Sequence, residues 1–207
     1  MITPSIVADK RNDYRKIFKT VRNQLSDKEI RGIASKVINK TLDRSITNRK
    51  QGIISGISGV YSVKKDEIKP KIRVSLFSKP NTLVGGVGLE ARPLTVHRFQ
   101  AGIDPNRGGG VFVNIKKQQK LIRTAFIAKS KKNNTTQVFA RGKYGKTGFI
   151  WGQKERYPIS VLKTASVRAM GLNPKIARPA QLFIENDCIA RVTGALQQKI
   201  NKLKNIT

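Results

Sequence analysis

The sequence predicts an α+β fold: an antiparallel sheet or partial barrel with an N-terminal helical region and a long C-terminal helix. Three observations predict it. Apolar residues recur every three or four positions near both ends of the chain, and they alternate at every second position in the middle. No helical pattern separates the middle segments, as βαβ units would require. The 207 residues accordingly divide into an N-terminal helical region over 1–70, an antiparallel β core with basic loops over 71–163, and a C-terminal segment with an amphipathic helix over 164–207.

Between Asn12 and Leu25, the residues Tyr14, Ile17, Phe18, Val21 and Leu25 form one apolar stripe on a basic helix. Ser26-Asp27-Lys28-Glu29 is a capping box, in which the serine caps the helix start and Glu29 reaches back. The helix it opens carries Ile30, Ile33, Ala34, Val37, Ile38, Leu42 and Ile46 on one face and Arg31, Lys36, Lys40, Arg44, Arg49 and Lys50 on the other. Gly52, Gly56 and Gly59 loosen the pattern, so its end is expected over 50–57. A short helix or turn over 60–70 closes at Pro70.

Ile72, Val74 and Leu76 then alternate with Arg73, Ser75 and Phe77, which is a strand pattern. Leu94 and Val96 alternate after Pro93, and Val111, Val113 and Ile115 follow the glycine triplet Gly108–Gly110. Further strands are expected over 122–128, 137–141 and 148–152, with the KSKKNNTT segment over 129–136 as an exposed hairpin tip or disordered loop. In the last stretch a helix is expected from about Pro179, a favourable first-turn residue. Leu182, Ile189, Val192, Leu196, Ile200 and Leu203 lie seven, three, four, four and three apart along it.

Composition narrows the function. There are 42 Lys plus Arg against 12 Asp plus Glu, a net charge of +30. That much positive charge repels itself in a compact state, so an anionic partner is expected, nucleic acid before an anionic membrane or an acidic protein. The single cysteine, Cys188, excludes an internal disulfide and a cysteine-based zinc site, and suits a reducing compartment. The single histidine, His97, in a strand-like segment, removes most metal and triad chemistry. No apolar run reaches the length of a membrane span, and the N-terminus lacks the order of a signal peptide.

Asp66 and Glu67 are the only acidic neighbours and read as a solvated cluster among Lys64, Lys65 and Lys69. A catalytic reading would need a partner base or a metal cage, so no catalytic residue, metal or cofactor is expected. The glycine groups 85–88 and 108–110 lack the Walker ending and a strand-to-helix setting, and read as loops or hinges. By contrast, residues 105–154 hold 12 Lys or Arg and no acid. Lys116, Lys117, Lys120, Arg123, Lys129, Lys131 and Lys132 are the candidates for contact with nucleic acid or an acidic partner. Strand alternation puts Lys116 and Lys120 on one face and Lys117 on the other, so they share a surface only if the chain turns over 116–121. No zinc-finger, KH or RRM signature is present, which points to phosphate contact without sequence readout. The aromatics Phe126, Phe139, Tyr144, Phe149 and Trp151 fall on strand-like positions, where core packing explains them at least as well as base stacking.

Several segments in order carry a resemblance. They are Val63-Lys64-Lys65-Asp66-Glu67-Ile68, Lys71-Ile72-Arg73-Val74 and Arg92-Pro93-Leu94-Thr95-Val96. Gly110-Val111-Phe112-Val113-Asn114-Ile115-Lys116-Lys117, Thr124-Ala125-Phe126-Ile127-Ala128, Val138-Phe139-Ala140-Arg141 and Arg156-Tyr157-Pro158-Ile159 follow. Val161-Leu162 and Ser166-Val167 precede the closing helix. Over about residues 10–205 the chain resembles the bacteriophage minor tail protein Z family, the tail completion proteins of lambda-like siphophages. The glycine-rich segments 84–88 and 106–110 fit that pattern less well.

The resemblance implies a structural virion protein with no enzymatic step. It would act as a tail completion or neck protein at the head-proximal end of the tail, in tail maturation, head–tail joining and DNA passage. Its implied partners are itself in a ring, expected to be a hexamer, other tail and neck proteins such as the terminator or tube, and viral DNA, with no membrane and no small-molecule substrate. Its place is the virion, and the host cytoplasm during assembly. The apolar positions Leu182, Ile189, Val192, Leu196, Ile200 and Leu203 are then candidates for an oligomer interface. Two other classes are expectations to set beside it: a sequence-independent nucleic-acid-binding protein, favoured by the charge, and a nuclease, which would need two or three converging acids.

Overall fold

Ser26 caps the first described helix, α1 (Asp27–Thr47). Its Oγ accepts from the Glu29 backbone N at 3.4 Å, and Glu29 Oε2 accepts from the Ser26 backbone N at 3.2 Å, so the capping box forms in both directions. The computed structural model describes residues 25–104, 110–129, 134–145, 148–152 and 158–204. The helix expected over 12–25 lies outside them except for Leu25, as do 108–109 of the glycine triplet and Arg156-Tyr157.

α1 buries Val37, Leu42 and Ile46 from the expected stripe. It stops at Thr47 because Asn48 turns the chain, its Oδ1 accepting from the backbone N of Lys50 and Gln51. The glycine-containing segment after it does not fray. It forms a second helix, α2 (Ile53–Val60), whose buried Ile53, Ile54 and Ile57 offset the weak helix propensity of Gly56 and Gly59. The expectation of one helix running out over 50–57 is corrected accordingly. α3 (Lys65–Ile68) and a 3-10 turn (Lys69–Lys71) follow, with Ile68 fully buried.

The fold is α+β, and its strands form several small sheets. β1 (Ile72–Leu76) and β2 (Gly86–Leu89) make a two-stranded sheet. The chain just before β2 passes close to α1: a Cβ on Gly85 would lie 2.5 Å from Leu42 Cδ1, which would have to move. β3 (Pro93–Thr95) pairs with β11 (Lys163–Ser166), antiparallel. β4 (Gly102–Asp104), β5 (Gly110–Asn114) and β6 (Gln119–Ile122) form an antiparallel meander. β7 (Ala125–Lys129), β8 (Thr136–Gly145) and β10 (Ile159–Val161) form another ladder, and β9 (Gly148–Trp151) pairs with the far half of β8. The strand expected over 122–128 is therefore two strands, broken by a turn at Arg123-Thr124.

The chain divides into two compact units. Among described residues one comprises 25–46, 73–88 and 179–204, the other 47–72 and 89–178, so neither follows the stretches 1–70, 71–163 and 164–207. The second unit is built on Val96, Val111, Val113, Ala125, Val138, Ala140 and Leu162. Backbone bonds from Val96 N to Leu162 O and from Leu162 N to Val138 O stitch its ladders together. The sharp pairing of β8 with β9 needs a glycine at 142, where φ is +145 and a Cβ would collide with the Ile150 carbonyl.

α4 (Val167–Gly171) is capped by Ser166, whose side chain accepts from Ala169 N. The last helix, α5 (Pro174–Lys204), starts five residues before the expected Pro179, because the Asn173 side chain caps it through Lys175 N. Pro179 stands inside it and forfeits one ladder hydrogen bond, to the Lys175 carbonyl. In the first unit α1 and α5 pair antiparallel. Glu29 meets Lys199 at 3.7 Å, and twelve residues further along α1 Thr41 donates to Asp187 at 3.3 Å, twelve residues back along α5. Leu25, Leu196 and Ile200 form the buried cluster there, with Ile30, Ile33 and Val192 against it.

Candidate nucleic-acid interface and assembly surface

The basic candidates do not form one patch. Asn114 on β5 stands opposite Gln119 on β6, so the chain reverses through 115–118 and carries Lys116 and Lys117 on that loop. Lys120 stands just inside the strand, opposite Val113. The turn that would let these three share a surface is therefore present. Arg123 lies at the other end of β6, in the turn to β7, and Lys129 ends β7 opposite Thr136. All five are exposed, and Lys131 and Lys132 lie outside the described residues.

Core packing accounts for one of the five aromatic residues, Phe149, and not for the others. Phe126, Phe139 and Val161 form one row across β7, β8 and β10 on the face opposite the buried Val138 and Ala140. The Phe126 and Phe139 rings stack with centroids 5.9 Å apart, and Phe126 is 39% exposed. Arg141 and Ile159 form the next row, with Ile159 exposed. On β8 and β9, Phe149 packs edge-on against Tyr144 at 5.0 Å and against Trp151 at 4.9 Å. Of the five aromatics only Phe149 packs on the buried cluster among the described residues, and Trp151 remains 47% exposed. Tyr144 has a structural use: its Oη accepts from Lys163 N and donates to Val161 O. Burial pushes its phenol up, against the opposing effect of the Lys163 hydrogen bond.

The α5 candidates separate into two groups. Leu196 and Ile200 are 0% and 1% exposed inside the chain's own core, and Val192 packs against them. Leu196 and Ile200 are thus taken up by the chain's own core, where the Leu25 end of α1 covers them. Leu182 and Ile189 are 58% and 48% exposed, and Leu203 is exposed as well. The cause is a change of buried face. At about 100° per residue Leu182 and Ile189 share a side with Leu196. Nearer the start of the helix, however, the covered side carries Ala180 and Asp187, and Asp187 is about half a turn from Leu196.

The acidic and histidine residues have structural surroundings. Glu67 forms an ion pair with Arg98, while Asp66 is exposed. His97 is exposed on a 3-10 turn (Val96–Arg98), not on a strand, because β3 ends at Thr95. Asp187 is held by Arg191 at 2.8 Å and Arg44 at 3.6 Å. Burial pushes the neighbouring Cys188 thiol up, and the Asp187 charge adds to it. Among the described residues no group of three His, Cys, Asp or Glu side chains is placed to hold a metal, and no helix is long and apolar enough to cross a membrane.

Lys64 and Lys65 are exposed, as a solvated cluster would be, and they also lie beside the basic hairpin. Ser62 N donates to Ile115 O at 3.0 Å, which ties the segment before α3 to the loop bearing Lys116 and Lys117. Nothing local in the sequence signals a contact across some fifty residues. No family model, no curated protein and no solved structure matches the chain.

Proposed function

We propose that the chain is a structural virion protein of a tailed bacteriophage, a tail completion or neck protein at the head-proximal end of the tail. It works by assembly and carries out no covalent step. The observation that carries this reading is the apolar surface each unit leaves uncovered. On the first unit it includes Leu76, Phe77, Val84, Leu182 and Ile189; on the second, Ile103, Ile150, Trp151, Ile159 and Leu172. Exposed apolar surface supports the reading of a subunit where it is contiguous, as between the neighbouring residues Ile150 and Trp151. The outer edges of the two-stranded sheet β1–β2 pair with no further strand among the described residues, and such edges serve as templates for another chain. The order of segments that resembles the minor tail protein Z family supports the identity of the assembly, and the charge of +30 supports contact with the DNA that passes through it.

On this reading copies of the chain associate in a ring, of six by the family's analogy, between tube or terminator proteins and the head. The chain is found in the virion, and in the host cytoplasm during assembly. Electron microscopy of tails made with and without it is the test. The expected result is tails of normal length that fail to join heads when the chain is missing. Tails that join heads and deliver DNA normally without it would overturn the assignment. The charge favours sequence-independent nucleic-acid binding as a second reading. A purified monomer that shifts random DNA and never forms rings would support that reading instead.

A further inference from the structure

We propose that a hollow in the second unit is a phosphate-binding site that takes a backbone phosphate of DNA. Its volume is about 500 Å³, and its cationic lining is Lys64, Lys65 and Lys117. These lysines come from the start of α3 and from the β5–β6 loop, held together by the bond from Ser62 N to Ile115 O. No carboxylate makes an ion pair with any of the three among the described residues, and the nearby Glu67 is taken by Arg98. Three lysines that line one hollow without a paired carboxylate favour an anion there.

The backbone conformation points to the same hollow. Gln100 and Lys117 line it, and they are two of the four non-glycine residues with a left-handed backbone among those described, with φ 51 and 56. Such conformations persist where the surroundings impose them, and they cluster at ligand sites. Asn114 also lines the hollow, and its Oδ1 is buried without a hydrogen-bond partner among the described residues. Among the described residues its Nδ2 makes one long bond, 3.5 Å, to Gln100 Oε1. The Asn114 Oδ1 is enclosed by protein, so Asn114 contributes to the wall of the hollow and not to its donors. The site offers lysine ammonium donors, which suit a phosphate oxygen.

The choice of DNA over a free phosphate compound rests on the function proposed above, and on the openness of the site beside the exposed Lys116 and Lys120. The test uses the purified full chain and a duplex of about 20 base pairs, titrated by fluorescence anisotropy across a salt series. The variant Lys64→Gln/Lys65→Gln/Lys117→Gln is compared with Lys28→Gln/Lys36→Gln/Lys40→Gln, which removes the same charge from the exposed face of α1. The first is expected to weaken binding about tenfold or more at about 0.1 M salt and to lower the salt slope by about two to three. The control is expected to change affinity less than about twofold. Equal losses from both variants would overturn the site.

In the unsubstituted chain, inorganic tripolyphosphate is expected to shift the amide resonances of Ser62, Gln100 and Asn114; no shift there would also overturn it. Tripolyphosphate binding with no duplex binding would overturn the assignment to DNA. Tail microscopy reports separately: normal head joining without the chain refutes the tail role and leaves the duplex titration standing.

Discussion

Leu182 and Leu196 occupy the same side of one helix two heptads apart, yet truncating them should have opposite consequences. Leu196 is 0% exposed, beside Leu25 and Ile200, whereas Leu182 is 58% exposed. Leu196→Ala removes three carbons from a dry site, worth about 2.4 kcal/mol at about 0.8 per carbon. The residual cavity raises the loss to about 3–4 kcal/mol. For a chain of this size that lowers the melting temperature by about 6–16 °C. Leu182→Ala should stay within about 0.5 kcal/mol. Urea and thermal unfolding of the two variants, followed by circular dichroism, measure the difference. Its partner observable is association: sedimentation should be altered by Leu182→Ala/Ile189→Ala and left unchanged by a folded Leu196→Ala. Similar stability losses at the two leucines would refute the change of buried face along α5.

Three other outcomes are expected. Gly142→Ala should cost at least about 2 kcal/mol, since φ +145 disfavours any side chain and its Cβ meets the Ile150 carbonyl; hydrogen exchange along β8 and β9 should report the loss. The hydrogen bonds from the Ser26 backbone and side chain hold the Glu29 carboxyl below its ordinary value, with a smaller effect from Lys199. A depressed folded value means the stabilisation is whole above the unfolded pKa and is lost as pH falls through the folded one. The urea midpoints of the natural chain and Glu29→Gln should therefore differ at neutral pH and converge below the ordinary glutamate range; a gap that persists there would contradict the capping geometry. With its thiol pushed up, native Cys188 should react with a disulfide reagent more slowly than the urea-unfolded chain at mildly alkaline pH, and equal rates would count against its burial.

Local signals were legible in the sequence and long-range ones were not. The capping box at Ser26, the alternation of Ile72 and Val74, and the strand after Gly110 each depend on a few neighbouring residues, and each forms. The reversal at Lys116 and Lys117 was legible as a condition, since the lysines could share a surface only through a turn. The break at Arg123-Thr124 was not, because both flanking segments are apolar enough to read as one strand. The start of α5 was missed because Asn173 outweighs the proline signal at 179. The division of the α5 stripe depends on which part of that helix α1 covers, and no period within the helix contains that information. The meeting of Lys64 and Lys65 with Lys117 is likewise a product of tertiary pairing.

The pairing of α1 with α5 also sets an order in time. Thr41 and its partner Asp187 are 146 residues apart. At ordinary rates of synthesis about 7–30 s pass between their appearances at the ribosome. Throughout that interval Val37, Leu42 and Ile46 wait without the helix that pairs with α1, and by its end residues 47–72 and 89–178 have been made and can close around their own core. A chain halted between Arg178 and Leu196 therefore keeps the second unit's core whole and leaves the first one open.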